Sequence, residues 1–226
     1  MNIKYFGHST FIIEFGGKRL LFDPFITGNP LVEEKNVESI SVDHILLSHG
    51  HGDHVADAEA IAKNNNATII STYEIVEWFQ QKGISGHPMN IGGEWQFDFG
   101  KVKMVNAVHS SVLPDGTYGG NPVGFLLTND KESLYFAGDT ALTMDMHLLK
   151  MFCPTLQVAI LPIGSNFTMG VSDAVIAAEW IGCDQIIGCH YDTFGYIKID
   201  HKSAKDAFAK KGKLLTLLPL GDSIQL

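Results

Sequence analysis

Arginine is nearly missing from this sequence: Arg19 stands alone, and Lys and Arg together number 16 against 25 Asp and Glu. At a net charge of −9 no basic surface is available to follow a phosphate backbone, so nucleic acid is not expected as a partner. Cysteine is scarce too. Cys153, Cys183 and Cys189 form no CxxC and are too few for a disulfide framework, which leaves buried reduced thiols. No long uncharged apolar run occurs, so no membrane span is expected. The residues from Met1 to His8 enter strand-like sequence without the charged head and cleavage site of a signal peptide, and a cytoplasmic location is expected. A Gly-x-Ser-x-Gly elbow is absent, which weighs against serine-hydrolase chemistry. No Pro/Ser-rich linker or repeat divides the chain, and residues 1–226 are read as one domain.

What is present is a run of short strand signals interleaved with helices. Ile3–Phe6, Thr10–Phe15 and Arg19–Phe22 read as strands separated by Gly7-His8 and Gly16-Gly17 turns. His44–Ser48 is a compact apolar run that suits a buried strand. Val55–Lys63 has helical spacing and stops at Asn64-Asn65-Asn66; Ala67–Ile70 is a strand. Ser71 and Glu74 form a capping-box pair for a helix through Lys82. Strands then follow at Trp95–Phe99, Lys101–Val108, Val123–Thr128 and Ser133–Phe136. The last third gives a strand at Leu156–Leu161, a helix from Ser172 to Trp180 and a strand at Gln185–Cys189. A helix at Lys202–Lys211 and strands at Leu214–Leu217 and Ser223–Gln225 finish the chain. Strands beside helices in both halves point to an α/β architecture (α+β in some schemes): two sheets face to face with helices outside.

The chemistry is concentrated in Ser48-His49-Gly50-His51-Gly52-Asp53-His54. Three histidines and an aspartate fall just after an apolar strand, and two glycines let the loop wrap tightly because they carry no Cβ. Neutral imidazole and carboxylate are the common ligands of zinc and similar ions. One loop cannot complete two coordination spheres. His109, Asp139 and His190 each follow a strand, where a ligand is held firmly, and they are the distant candidates.

This set, His49-Gly50-His51-Gly52-Asp53-His54 with His109, Gly138-Asp139-Thr140 and His190, resembles the metallo-β-lactamase superfamily in order and spacing. Gly7-His8-Ser9, Asp23-Pro24-Phe25, Leu161-Pro162-Ile163-Gly164, Phe167-Thr168-Met169-Gly170 and His190-Tyr191-Asp192-Thr193-Phe194 are similar to one branch of it. That branch holds small metal-dependent hydrolases akin to ascorbate-6-phosphate lactonase and N-acyl-phosphatidylethanolamine phospholipase D. The resemblance implies a four-layer αββα sandwich with two divalent metal ions in a groove. His49, His51 and His109 would hold one ion, Asp53, His54 and His190 the other, with Asp139 bridging. Asp23 would support the ligands from behind, or is a turn residue before Pro24. An all-nitrogen-and-oxygen site suits zinc and leaves manganese or iron open.

Two such ions share a water and lower its pKa toward neutrality, making a bridging hydroxide the nucleophile toward an ester, lactone or phosphodiester of a small molecule. Asp53 would orient it or take its proton. His8 is read as a substrate contact or proton donor, or else as a turn histidine. Asn166 is a weaker candidate for substrate contact, with a turn asparagine as the alternative. Loops 27–39 and 110–122 are expected to wall the pocket, with Leu113–Asn121 either a flap or an inert turn. The rival functions are a di-iron oxidoreductase, an RNA nuclease and a non-catalytic metal-binding module. A homo-oligomer is compatible with the sequence.

Overall fold

The computed structural model describes all residues from Met1 to Leu226. The first sheet comprises β1 (Asn2–Gly7), β2 (Thr10–Phe15), β3 (Lys18–Phe22), β4 (His44–Leu46), β5 (Thr68–Thr72) and β6 (Gly86–Met89), closed at its edge by β14 (Ser223–Gln225). The second comprises β7 (Glu94–Phe97), β8 (Gly100–Asn106), β9 (Val123–Thr128), β10 (Ser133–Phe136), β11 (Val158–Pro162), β12 (Gln185–Cys189) and β13 (Leu214–Thr216). Each sheet opens as an antiparallel meander and continues as parallel strands: β1-β2-β3 leads into β4-β5-β6, and β7 to β10 leads into β11-β12-β13.

Strand alternation builds the layers. Phe11, Ile13, Leu20, Phe22, Leu46 and Ile70 point inward against Val102, Met104, Phe125, Phe136 and Ile160 of the opposite sheet. Ile12, Leu21, Ile45 and Ile69 point outward, beneath α1 (Gly52–Val55), α2 (Ala58–Asn65) and α3 (Tyr73–Gln80). Tyr135, Ala159, Leu161 and Ile186 face out on the other side, under α4 (Leu149–Phe152), α5 (Val171–Ile181) and α6 (His201–Ala209). The four-layer αββα order follows. No helix is long and apolar enough to cross a membrane.

Some local expectations fail for identifiable reasons. Ser71 does not cap a helix: it lies in β5, its hydroxyl donates to the Leu47 carbonyl, and Thr72 is the N-cap residue without a side-chain bond. The helix expected over Val55–Lys63 is broken into α1 and α2, because Asp57 turns its carboxylate back onto the amides of Ile26 (2.6 Å) and Thr27 (3.0 Å). Gly170, not Ser172, sits at the N-cap of α5. α6 starts at His201, capped by Asp200 accepting from the Ser203 amide at 2.6 Å. β6 and α4 have no counterpart in the sequence reading; β6 contains Pro88, tolerable because this strand is at the sheet edge.

Candidate metal centre

The alternation of strand directions delivers the site. β1, β3 and β4 run the same way, and at their C-terminal ends stand His8, Asp23 and His49. β8, β10 and β12 likewise share a direction and lead to His109, Asp139 and His190. The two rims meet. Backbone bonds stitch them together: the His190 amide donates to the His8 carbonyl at 2.8 Å and the Val123 amide to the Ser48 carbonyl at 3.0 Å. His8, Asp23 and His190 have φ of 56°, 41° and 54°. Such left-handed backbone is costly outside glycine, and its gathering at one rim marks a constrained functional site.

Two groups of donor atoms face one another. His49, His51 and His109 form one; His8, Asp53, His54 and His190 form the other, with the donor atoms of each group lying within 4.8 Å of one another. Between them lies Asp139. Its Oδ2 is 4.0 Å from His49 Nε2 and 3.7 Å from His109 Nε2, and it is 3.4 Å from His54 Nε2 and 3.0 Å from His190 Nε2. One carboxylate oxygen therefore reaches both groups.

Asp23 sets the tautomers. Fully buried, it accepts from His54 Nδ1 at 2.8 Å, from the Ser48 hydroxyl at 2.6 Å and from the Ser48 amide at 2.8 Å. A carboxylate only accepts, so Ser48 gives its proton to Asp23 and its oxygen receives His49 Nδ1–H at 2.9 Å. His49 and His54 are thus both held through Nδ1, with Nε2 of each within 4.0 Å of Asp139. His49 Nε2 is 3.0 Å from His51 Nδ1, close enough for one cation to be shared.

Electrostatics follow burial and charge together. Burial holds the His49 imidazole well below its usual pKa, reinforced by the neighbouring His54. For His54 burial acts the same way, but the carboxylates of Asp139 and Asp23 outweigh it and raise the pKa well above the usual value. Burial would raise Asp139, yet His54 and His190 hold it well below the ordinary carboxylate range. Burial takes His8 down to about 4, against the pull of Asp53. His8 is therefore neutral at pH 7: Nε2–H donates to Asp53 at 3.1 Å, and the Thr193 hydroxyl meets Nδ1 at 3.0 Å.

The donor set fits a divalent cation. His54 Nε2 and Asp139 Oδ1 are buried without a hydrogen-bond partner, an arrangement proteins avoid unless another group completes it. Imidazole nitrogens and carboxylate oxygens, with no thiolate, suit zinc, manganese or iron alike.

Comparison with known proteins bears on the same residues. The model of the family "Beta-lactamase superfamily domain" matches residues 2–190. A "UPF0173 metal-dependent hydrolase" of Christiangramia forsetii is 55% identical over the whole of both chains. One of Flavobacterium johnsoniae is likewise 55% identical, again over 100% of each chain. The structure of Igni18, described as a novel metallo hydrolase from Ignicoccus hospitalis, superposes with a TM-score of 0.89 at 31% identity, covering 99% of this chain and 98% of that one. The chain belongs to the metallo-β-lactamase superfamily. Within it, this is a small metal-dependent hydrolase.

The metallo-β-lactamase cleft opens beside Asp139, a cavity of about 690 Å³ whose walls include His51, Asp53, His109 and His190. Its aromatic wall was not foreseen in the sequence, whereas Ser110 belongs to the segment 110–122 that was expected to line the cleft. Phe167, Thr193, Phe194 and Tyr196 form that wall, while residues 27–39 contribute nothing. His8 is fully buried and does not line the cleft; it stands behind Asp53 and Thr193, which do. Asn166 is exposed and does not line the cleft; its neighbour Phe167 does. Leu113–Asn121 is a hydrogen-bonded hairpin rather than a loose flap. Leu113 and Thr117 pair at 2.8 Å, Trp78 donates to Asp115 at 2.6 Å, and Ser111 braces the Gly50 amide at 3.1 Å.

Proposed function

We propose that this hydrolase uses two divalent ions to cleave an ester, lactone or phosphodiester of a small molecule. The observation that carries this reading is Asp139 Oδ2, within 4.0 Å of imidazole nitrogens from both donor groups. His49, His51 and His109 would hold one ion and Asp53, His54 and His190 the other, with Asp139 available to both. Cations so held supply Lewis-acid polarisation of the scissile group and lower the pKa of water toward neutrality.

The chain's own groups do the rest. Asp53 is partly exposed in the cleft; burial would raise its pKa, but the His8 hydrogen bond and the His54 charge keep it well below the carboxylate norm. It is ionised at neutral pH and can accept a proton at its free oxygen. His8 fixes the other oxygen, Oδ2, and Thr193 fixes His8. Asp23 holds two imidazoles by Nδ1, His54 directly and His49 through Ser48, so that a cation can take Nε2 of each in place of a proton. A cleft without Lys or Arg suits a small molecule better than RNA. Zinc is the first choice of ion, with manganese and iron next.

Elemental analysis tests the assignment. Wild-type protein is expected to carry two ions per chain and to hydrolyse generic esters or phosphodiesters. His51→Ala and Asp139→Ala are expected to lose metal and turnover while keeping the circular dichroism of the fold. Equal metal content in all three proteins would end the proposal.

A further inference from the structure

We infer that the cleft selects an uncharged ester or lactone carrying an aromatic group, which packs against the edge-to-face pair Phe167 and Tyr196; this rests on the hydrolase reading above. Three observations lead there.

The first is charge. The only carboxylates among the cleft residues are Asp53 and Asp139, both beside the reacting centre, and no Lys or Arg lines the wall. The chain as a whole carries −9. A phosphate or carboxylate borne away from the scissile bond would enter without a partner, and an unpaired charge taken from water is strongly disfavoured.

The second is the pair of rim aromatics. Phe167 is 51% exposed and Tyr196 79% exposed, with ring centroids 6.3 Å apart at 80°. Phe194 stands behind them, 5.4 Å from His8 and 6.3 Å from Phe25. Aromatic faces and edges in this arrangement offer a planar guest both stacking and edge contacts. A cavity of about 690 Å³ is of ordinary size for a small-molecule site.

The third is how the rings are held. Phe167 follows Ser165 and Asn166, both left-handed at φ 65° and 60°. Neither is glycine, so the turn is maintained at a conformational cost by its surroundings. Its ends are pinned: Ser165 N donates to Met169 O at 3.0 Å, and Met169 N to Thr140 O at 3.0 Å, one residue from Asp139. Tyr196 sits in a short 3-10 turn, Gly195–Ile197, anchored by fully buried Ile197 and by the Asp192 amide on the Ile197 carbonyl at 2.8 Å. Exposed rings on braced backbone are a prepared surface. The reaction adds the hydroxyl of water to the acyl carbon and its proton to the departing oxygen, giving an acid and an alcohol, or a hydroxy acid from a lactone.

Methyl esters with one leaving group isolate the acyl side. Metal-loaded wild type is assayed by pH-stat on methyl phenylacetate, methyl butyrate and methyl 4-carboxyphenylacetate. The aromatic ester is expected to exceed the butyrate in kcat/KM by about tenfold, and the carboxylate to fall below the aromatic ester by at least that factor. Phe167→Ala and Tyr196→Ala should each lower the aromatic-to-butyrate ratio roughly 3- to 10-fold, mainly through KM, at unchanged metal content. Equal losses on both esters, or preference for the carboxylate, would overturn the inference. Should no ester be turned over, the hydrolysis reading fails separately. Calorimetric binding of benzyl methyl ketone then decides: tight in wild type and weaker in the variants supports the aromatic surface, and no binding refutes it. Sedimentation in which either variant dissociates a wild-type oligomer, without changing ketone binding, would assign the rings to self-association and also refute it.

Discussion

His190 donates its backbone amide to the carbonyl of His8 at 2.8 Å, and their imidazole rings lie 4.1 Å apart. The two residues end strands in different sheets, so the seam between the halves of the molecule runs through the rim that gathers the candidate ligands. Side-chain placement there depends on backbone continuity as much as on the side chains themselves.

Asp23→Ala should weaken both ion positions together, because Asp23 orients His54 directly and His49 through Ser48. Loss of such outer partners typically costs about 10- to 100-fold in metal affinity. Titration against a chelating dye measures it. Loss confined to one of two ions would show that the Ser48 relay has no influence on His49.

His8→Ala should leave Asp53 without the hydrogen bond that holds its pKa down. The carboxyl pKa then rises, so protons compete for Asp53 at higher pH, and the acid end of the metal-binding curve moves upward. His8→Gln, which restores an N–H donor, should recover part of the shift. Identical curves for wild type and both variants would reduce His8 to a packing residue.

Gly164→Ala tests the crowding behind His190. An added Cβ would fall 2.0 Å from the His190 carbonyl oxygen and 2.9 Å from Ile197 Cβ. Forced displacement of this kind costs about 1–3 kcal/mol. The loss should appear in urea unfolding and be accompanied by weaker metal binding, since His190 is what moves.

Phe136→Ala should cost about 3–5 kcal/mol without touching a ligand. Phe136 is fully buried between the sheets, with its ring 4.8 Å from that of Phe22 and 6.4 Å from that of Phe11. Equilibrium unfolding of the metal-free protein gives the number free of any contribution from ion binding.

The convergence of the candidate ligands was legible because strand-end histidines and aspartates are placed by patterns that sequence displays. β4 is a short apolar run and His49 follows it; β12 is another and His190 follows it. The aromatic wall was not legible. Phe167, Phe194 and Tyr196 sit in irregular turns, where no period tells whether a ring faces solvent, core or cleft. Ser71 and Glu74 carried a genuine capping pattern, but pairing of β5 with β6 extends to Thr72 and Met89 and takes Ser71 into the sheet. Long-range pairing outweighed a local preference there. Asp57 shows the same conflict: nothing in 55–63 announces the amides of Ile26 and Thr27 that break the helix.

Because the strands that carry His8, Asp23, His49, His109, Asp139 and His190 all finish at one rim, the hairpins at Gly16-Gly17 and at 129–131 lie at the opposite rim. Heritable change is thereby partitioned. An affinity tag grafted at Asp130 should leave the chemistry alone, whereas lengthening the Ser165–Thr168 turn should redraw what the enzyme admits, so selectivity can be remodelled in the turns with both sheets left as they are.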